Sequence, residues 1–230
     1  MIVKNIEIKN FRNYQNLDLN FSPTINIFVG QNAQGKTNLL ESIYLLSLSN
    51  SHRTNDYKEL INWDEKESLI KADVQKTTGN INLEIRLTGK GKIAKVNSLT
   101  TQALTEFVGN LNVVLFAPED LLIVKGSPQK RRNFMNAEFS QISNKYLYDL
   151  STFRKVLKNR NAFLKKNEND DLFLEVLDNQ IAQISAKIIQ QRFKFVDMLT
   201  EIAREVHREI APSENLSISY KTIKIGRAHV

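Results

Sequence analysis

The sequence lacks cysteine entirely and has only three histidines, His52, His207 and His229. Without thiols the chain cannot form disulfide bonds or thiolate metal sites, and the histidine spacing does not fit a structural metal site. No run of apolar residues approaches the roughly 20 needed to cross a bilayer. Charged residues interrupt the first twenty positions, a pattern that excludes a secretory leader. We therefore expect a cytoplasmic protein with no membrane partner.

Positive charge is concentrated in one part of the chain. The 230 residues are 41% hydrophobic, enough for a buried core, and carry a net charge of +7. Residues 125–166 contain eleven lysines or arginines and only Glu138 and Asp149 as acids, a net charge of +9, so the rest of the chain sums to −2. Such clustering is the electrostatic footprint of a protein that binds a phosphate backbone. A solvated helical face would give the same pattern, and that alternative stays open.

The most specific motif is a glycine-rich loop of the form G-x-x-x-x-G-K-T, which wraps the phosphates of ATP or GTP. Its residues are Gly30, Gln31, Asn32, Ala33, Gln34, Gly35, Lys36 and Thr37. The two glycines let the backbone curl so that successive N–H groups face phosphate oxygens. Lys36 is expected to reach the β- and γ-phosphates, and the Thr37 hydroxyl to ligate Mg²⁺. The alternative is a glycine-rich turn with an exposed lysine.

The sequence around this loop predicts the context that a phosphate site requires. Residues 24–29 predict a short apolar strand entering the loop, and residues 38–48 predict a helix leaving it with a broad apolar face. The N-terminus of that helix would add its partial positive charge to the site.

Alternation of apolar and polar residues predicts most of a sheet. The predicted strands are 2–8, 17–21, 69–74, 81–87, 92–96 and a buried run at 112–117, with a helix at 100–108. The first two would pair antiparallel, and Gly79-Asn80 and Gly89-Lys90-Gly91 read as hairpin turns. We therefore predict an α/β fold with a mixed sheet, in which antiparallel strands lie beside a parallel core around the phosphate loop.

Beyond Pro128 the pattern becomes helical and stays so to residue 210. Apolar positions from Leu174 to Ile202 alternate steps of three and four, which predicts a long helix paired with the preceding basic helix across a turn at 167–171. The predicted divisions are an ATPase-lobe portion at 1–127, a helical lobe at 128–212, the start of a returning strand at 213–224 and a non-native tail at 225–230. The last six residues are assigned to a tail because they resemble a translated sequencing adapter; a genuine terminus is the alternative.

Three further segments are informative in combination with the loop and its helix. They are 9–14 (Lys-Asn-Phe-Arg-Asn-Tyr), 51–54 (Ser-His-Arg-Thr) and 116–132, with Phe-Ala-Pro-Glu-Asp-Leu and Lys-Gly-Ser-Pro-Gln-Lys-Arg-Arg. Together with residues 30–41 they closely resemble the RecF family of bacterial DNA-repair ATPases, which is related to SMC proteins. The resemblance extends over residues 1–224.

The resemblance implies a P-loop ATPase head of the ABC/SMC type with a second, helical lobe. It implies ATP-dependent homodimers that grip double-stranded DNA near single-stranded gaps, work with RecO and RecR to favour RecA loading, and serve replication-fork repair and the SOS response. By the same resemblance Arg12 would contact a nucleotide phosphate, with Asn13 beside it; a turn arginine paired with a surface carboxylate is the alternative. The basic stretch offers candidate DNA contacts at Lys130, Arg131, Arg132, Lys155, Lys158 and Arg160.

Some parts of the wider superfamily's site are missing from this sequence. The position of its magnesium-holding glutamine reads Pro118-Glu119-Asp120 here, as RecF proteins commonly do. No apolar strand ends in Asp-Glu, and no serine-glycine signature is present, so we expect a truncated family member with weak nucleotide binding and negligible turnover. A transporter-type ATPase subunit is disfavoured by the basic stretch, and a small-molecule kinase by the long helix.

Overall fold

This computed structural model describes residues 1–166 and 170–222, apart from the side chain of Glu119. The chain divides into two compact units, one spanning Met1–Asn144 and one beginning at Lys145. The lobe boundary predicted at residue 128 stays a prediction; the helix that begins there belongs to the first unit. Within the described ranges, no helix combines the length and the apolar character needed to span a membrane.

The first unit is built on a six-stranded antiparallel sheet with the order β2-β1-β3-β4-β5-β6. Its strands are β1 Ile2–Phe11, β2 Tyr14–Asn20, β3 Glu67–Lys76, β4 Gly79–Thr88, β5 Gly91–Val96 and β6 Leu99–Thr100. The predicted alternation is confirmed for the first five strands, since Ile6, Ile8, Ile70 and Ile85 are all fully buried on one face. Ile6 pairs with Leu19 on one side and Ala72 on the other, which fixes the register of the central strands.

The first unit also contains helices, and the first two of these contribute residues to the core shared with the strands. The helices are α1 Lys36–Leu48, α2 Leu104–Phe107, α3 Leu122–Lys125 and α4 Pro128–Ile142, with short 3₁₀ helices at Tyr57–Leu60 and Pro118–Leu121. The predicted helix after the phosphate loop is confirmed as α1, which buries Leu39, Leu45 and Leu46 in the core shared with the strands. It ends at Ser49, whose left-handed conformation lets its N–H donate to the Leu45 carbonyl at 2.7 Å.

The α/β fold is confirmed, but two predicted strands of its parallel core are wrong, and the described sheet is antiparallel rather than mixed. Residues 24–29 and 112–117 form no strand, and Ile25, Ile27 and Val29 are 76%, 79% and 90% exposed. A strand requires a neighbouring backbone to pair its N–H and C=O groups, and no described segment pairs with either run. Apolar sequence alone could not reveal the missing neighbour.

A glutamine side chain takes the place of a strand neighbour for the second of these runs. The Gln141 amide oxygen, buried at the end of α4, accepts from the Val113 N–H at 2.7 Å, and its nitrogen donates to the Val113 carbonyl at 3.1 Å. The same oxygen accepts from the Ser47 hydroxyl at 2.7 Å. Gln141 therefore ties residues 112–117 to both α4 and α1.

Two long helices dominate the second unit, α5 Asn144–Lys165 and α6 Asp171–Ile210. The predicted long helix is confirmed as α6, which begins where the Asp170 carboxylate accepts from the Phe173 N–H at 2.9 Å. Gln191 donates to Asp149 and Arg160 pairs with Asp178, so the two helices run antiparallel as predicted. Residues 167–169 of the predicted turn lie outside the described part.

The segment after α6 folds back along that helix. Arg204 donates to the Leu216 carbonyl at 2.9 Å, and Arg192 donates to the Tyr220 hydroxyl at 2.9 Å. Up to residue 222 this segment contains no strand, although the beginning of one was predicted over 213–224. The backbone carbonyls of Leu216 and Ile218 accept from the α6 side chains of Arg204 and Thr200 instead of pairing with a strand. Residues 223–230, including the predicted tail, lie outside the described part.

Candidate phosphate-loop site

The glycine-rich loop is tightly curled where it meets α1. Ala33 and Gly35 both have left-handed backbones, with φ of 66° and 102°. A Cβ placed on Gly35 would lie 2.9 Å from Oδ1 of Asn13 and 3.0 Å from Cζ of Tyr14. Gly35 is therefore required both for its φ and for the close approach of the β1–β2 turn. By contrast, a Cβ on Gly30 would meet nothing within 4 Å.

The lysine of the loop folds back over the loop itself. Its Nζ donates to the carbonyl oxygens of Gly30 at 2.5 Å and Gln31 at 2.7 Å. Helix α1 begins at this residue, and no side chain caps it, because the residue before it is Gly35. The first N–H groups of the helix and its partial positive charge therefore lie beside the lysine ammonium, an arrangement suited to an anion.

A buried carboxylate lies behind the loop. Glu41 on α1 is fully buried and accepts from Arg12 at two points, Nε at 3.0 Å and Nη2 at 2.8 Å. The Ser51 hydroxyl donates to it at 2.5 Å and Arg53 Nη1 at 3.2 Å. Burial by itself would raise the pKa of Glu41, but the hydrogen bonds from Arg12 and Ser51 and the charges of Arg12 and Arg53 outweigh it, so the pKa is lowered.

The same network continues to the edge of the loop. Arg53 Nη1 donates to Asn38 Oδ1 at 2.8 Å, and Asn38 Nδ2 donates to Asn13 Oδ1 at 2.8 Å. Tyr14 donates its hydroxyl to the Gly35 carbonyl at 3.2 Å. The β1–β2 turn, the first turn of α1 and the segment after α1 are thereby joined in one hydrogen-bonded network around the loop.

Arg12 is held firmly within this network. Besides its two bonds to Glu41, its Nη1 donates to the Glu59 carbonyl at 2.9 Å, and its backbone N–H donates to the Leu60 carbonyl at 2.8 Å. The carboxylate that it pairs with is buried, not at the surface as the alternative for Arg12 supposed. Two of its five side-chain N–H groups remain available, so contact with a phosphate stays a prediction.

Sequence reasoning missed three members of the network. Glu41, Ser51 and Arg53 lie in segments that carry the family resemblance, but no individual role was predicted for them. One signal was available for Glu41, because it is the only charged residue in the run from Asn38 to Asn50. A charge within an apolar helical face is buried only with partners, and here the partners come from distant segments.

The acidic run at 118–120 has a local structural role. The Asp120 carboxylate accepts from the Ala117 N–H at 2.8 Å and so closes the short 3₁₀ helix Pro118–Leu121. Burial and the charge of Asp120 raise the pKa of Glu138 on α4. Burial, together with both carboxylates, raises the pKa of Tyr44 to about 12. Within the described ranges, no three His, Asp or Glu side chains are grouped to hold a metal ion.

Only part of the predicted DNA-contact set is free of other bonds. Arg131 donates to the Ile123 and Gly126 carbonyls, Arg132 donates to Gln129, and Arg160 pairs with Asp178. The lysines at 130, 155 and 158 are exposed, and the described residues offer them no ion-pair partner. The candidates on α4 belong to the first unit and those on α5 to the second.

Comparisons with known proteins agree on one family. The profile described as the RecF/RecN/SMC N terminal domain matches residues 2–106. The chain is 48% identical to the DNA replication and repair protein RecF of Lysinibacillus sphaericus over 228 residues, which cover 97% of this chain and 62% of that protein. It is 47% identical to the RecF of Bacillus cereus over 226 residues, which cover 96% of this chain and 60% of that protein.

Solved structures give the same answer for the fold. The chain resembles a structure of the recombination mediator protein RecF with ATP, from the RecFOR pathway, with a TM-score of 0.87 and 34% identity. The match covers 92% of this chain and 58% of that one. The chain therefore spans about 60% of the length of the relatives that it matches.

Proposed function

The chain belongs to the RecF family, and from that premise we propose that it forms the phosphate-binding portion of an ATP-dependent DNA-binding protein of recombinational repair and replication-fork maintenance. One observation carries the proposal most directly: the curled loop ends at an uncapped helix N-terminus with Lys36 folded beside it. This is the arrangement of backbone N–H groups and positive charge that a triphosphate requires.

The residues of the loop suggest how ATP would be held. The Lys36 ammonium would exchange the carbonyls of Gly30 and Gln31 for β- and γ-phosphate oxygens, which are stronger acceptors because they are charged. Thr37 lies exposed in the first turn of α1, so its hydroxyl and the phosphates could together hold Mg²⁺, which would neutralise phosphate charge. Arg12 and Asn13 border the same site through their bonds to Glu41 and Asn38.

The partners follow from the family and form part of the same proposal. ATP would pair two copies of the head, and the pair would hold double-stranded DNA at gap junctions. RecO and RecR would cooperate with it in RecA loading. The protein would act in the cytoplasm and take part in the SOS response. The relatives matched are named as DNA replication and repair proteins, which favours this role over a transporter-type ATPase subunit.

Replacing the loop lysine tests nucleotide binding directly. We expect Lys36→Ala to weaken binding of a fluorescent ATP analogue by about tenfold to hundredfold, because it removes charge-assisted contacts to the phosphates. Titration of the analogue against the chain measures the change, and Lys187→Ala, an exposed lysine on α6, is the matched control. Equal affinity of the Lys36→Ala variant and the parent chain would overturn the phosphate-loop assignment.

Charge reversal on α4 and α5 tests the DNA contact. We expect Lys155→Glu/Lys158→Glu to lower affinity for gapped duplex DNA by about tenfold, and to reduce the slope of log affinity against log salt by about 2. Lys130→Glu/Arg132→Glu tests α4 in the same way and spares Arg131, whose bonds hold the end of α3. Binding is measured by fluorescence anisotropy at several salt concentrations.

The matched control for charge reversal lies on the neighbouring helix. Lys187→Glu/Lys194→Glu makes the same change in net charge on α6, outside the basic stretch. If this control weakens DNA binding as much as both test pairs do, the contact reflects net charge alone, and the assignment to residues 125–166 fails. Binding of the ATP analogue should be unchanged in all three variants.

A further inference from the structure

A concave site lies on the first unit and has Arg12 in its lining. It is a cleft of about 1390 Å³ between the segment that includes the Tyr57–Leu60 helix and the β4–β5 hairpin, and its lining includes Arg12, Asn62, Trp63 and Ile93 together with four lysines and three glutamates. Concave sites with an aromatic wall and a few polar groups are where small planar ligands bind. No residue of the phosphate loop, 30–37, lines this cleft.

The only tryptophan of the chain forms part of this cleft. Trp63 is 96% exposed, yet the backbone around it is well anchored. The N–H of Asn62 donates to the Asn10 carbonyl at 2.9 Å, Glu65 N–H closes a turn onto the Asn62 carbonyl at 3.0 Å, and Ile61 bridges to Phe11 of β1. The backbone that carries Trp63 is therefore held in place, and the exposed indole leaves its faces open to a stacking partner.

The polar groups around the indole favour a nucleobase over a purely apolar ligand. Asn62 is half-buried, and its side-chain amide, which bonds to no described residue, carries both a donor and an acceptor for the edge of a base. The lysines at 58, 66 and 90 line the cleft without ion-pair partners in the described part of the chain, and with Arg12 and Lys92 they outnumber the three lining glutamates five to three. Cations beside an open aromatic face are the combination that binds nucleotides by stacking and charge together.

We propose that this cleft is a nucleobase subsite in which Trp63 stacks on the base and Asn62 contacts its edge. Arg12 connects the cleft to the phosphate loop, because it lines the cleft and also bonds to Glu41, five residues beyond Lys36 on α1. The base could therefore be that of the nucleotide held by residues 30–37, an assignment that rests on the proposed function. A base of single-stranded nucleic acid offers the same chemistry, and the experiment separates the two sources.

Fluorescence of the only tryptophan reports on the subsite directly. We expect ATP or a single-stranded oligonucleotide to quench Trp63 emission by about half or more, since stacking on a base quenches indole. Inorganic tripolyphosphate and an abasic oligonucleotide, which lack bases, should leave the emission unchanged. Quenching by ATP that disappears in Lys36→Ala identifies the bound nucleotide as the source, and quenching by the oligonucleotide that persists in this variant identifies nucleic acid. Quenching by neither, or equal quenching by the compounds without bases, overturns the proposal.

Substitution of Trp63 gives an independent measurement. By calorimetry we expect Trp63→Ala to weaken binding of the quenching ligand by about tenfold and Trp63→Phe to retain most of the affinity, because phenylalanine still stacks. Phe116→Ala removes another exposed aromatic side chain, outside the basic stretch 125–166, and is the matched control. If Lys36→Ala no longer binds ATP while Trp63→Ala binds ATP and the oligonucleotide normally, the phosphate-loop assignment is supported and the proposal of a nucleobase subsite is overturned. If Lys36→Ala binds ATP normally, the proposed function fails, and quenching by the oligonucleotide decides the subsite alone.

Discussion

Glu41→Gln is expected to lower the free energy of unfolding of the first unit by about 3 kcal/mol at neutral pH. The substitution keeps the shape of the side chain but turns an amide N–H₂ toward donors, so Arg12 loses its bidentate acceptor. The Arg12 side chain is only 18% exposed and cannot recover full hydration when its acceptor is lost. The Arg53 side chain is 45% exposed, so its ion pair with Glu41 contributes less to the free energy of unfolding. Urea denaturation of both proteins measures the difference, and Glu65→Gln, at an exposed position, is the control.

The pH dependence of this difference has a definite sign. The pKa of Glu41 is lowered in the folded chain from its ordinary 4.5, even though burial opposes this, because Arg12 and Ser51 donate to the carboxylate. A lowered pKa means that the ionised carboxylate stabilises the fold at pH above 4.5 and that this contribution is lost as the pH falls through the folded-state value. The stabilities of the parent and Glu41→Gln should therefore converge in acid. A difference that stays constant from neutral pH down to acid would contradict the role assigned to this carboxylate.

The pattern of apolar residues predicted the strands and helices whose burial follows from their own sequence. Strands β1 to β5 follow from alternation of apolar residues, and α1 and α6 follow from helical periodicity, because in each case one face must be buried. Residues 24–29 are just as apolar, but their burial depends on a neighbour that their own sequence does not specify. The same limit applies at residues 112–117, where a glutamine 28 residues away supplies the pairing.

The candidate site likewise has one part that the sequence predicted and another that only the structure revealed. The loop from Gly30 to Thr37 could be identified because its function depends on a contiguous stretch of backbone. The network behind it joins Arg12 to a carboxylate 29 residues away, and such long-range pairing leaves no periodic trace. Sequence therefore located the phosphate loop, whereas the support that holds Arg12, Asn13 and Asn38 around it required the structure.

Gly35→Ala is expected to damage both the fold around the loop and nucleotide binding. A left-handed φ of 102° costs a residue with a side chain about 1–3 kcal/mol. The added Cβ would also lie 2.9 Å from Asn13 Oδ1 and 3.0 Å from Tyr14 Cζ. Asn13 could move away only by giving up its bond from Asn38, so the strain spreads to the first turn of α1. We expect a lower melting temperature and about a hundredfold loss of affinity for the ATP analogue, equivalent to about 2.7 kcal/mol.

The other glycine of the loop is the natural comparison for this variant. A Cβ on Gly30 would meet no atom within 4 Å, and the φ of this residue is not left-handed, so Gly30→Ala should keep the parent melting temperature. Comparing Gly35→Ala with Gly30→Ala therefore separates the effect of the left-handed backbone and its close contacts from the effect of adding a methyl group to the loop. If Gly35→Ala melts with the parent chain and binds the ATP analogue as tightly, the curl at Gly35 does not form the phosphate site. If it melts normally but loses affinity, the curl acts on the nucleotide alone and Asn13 relaxes without cost to the fold.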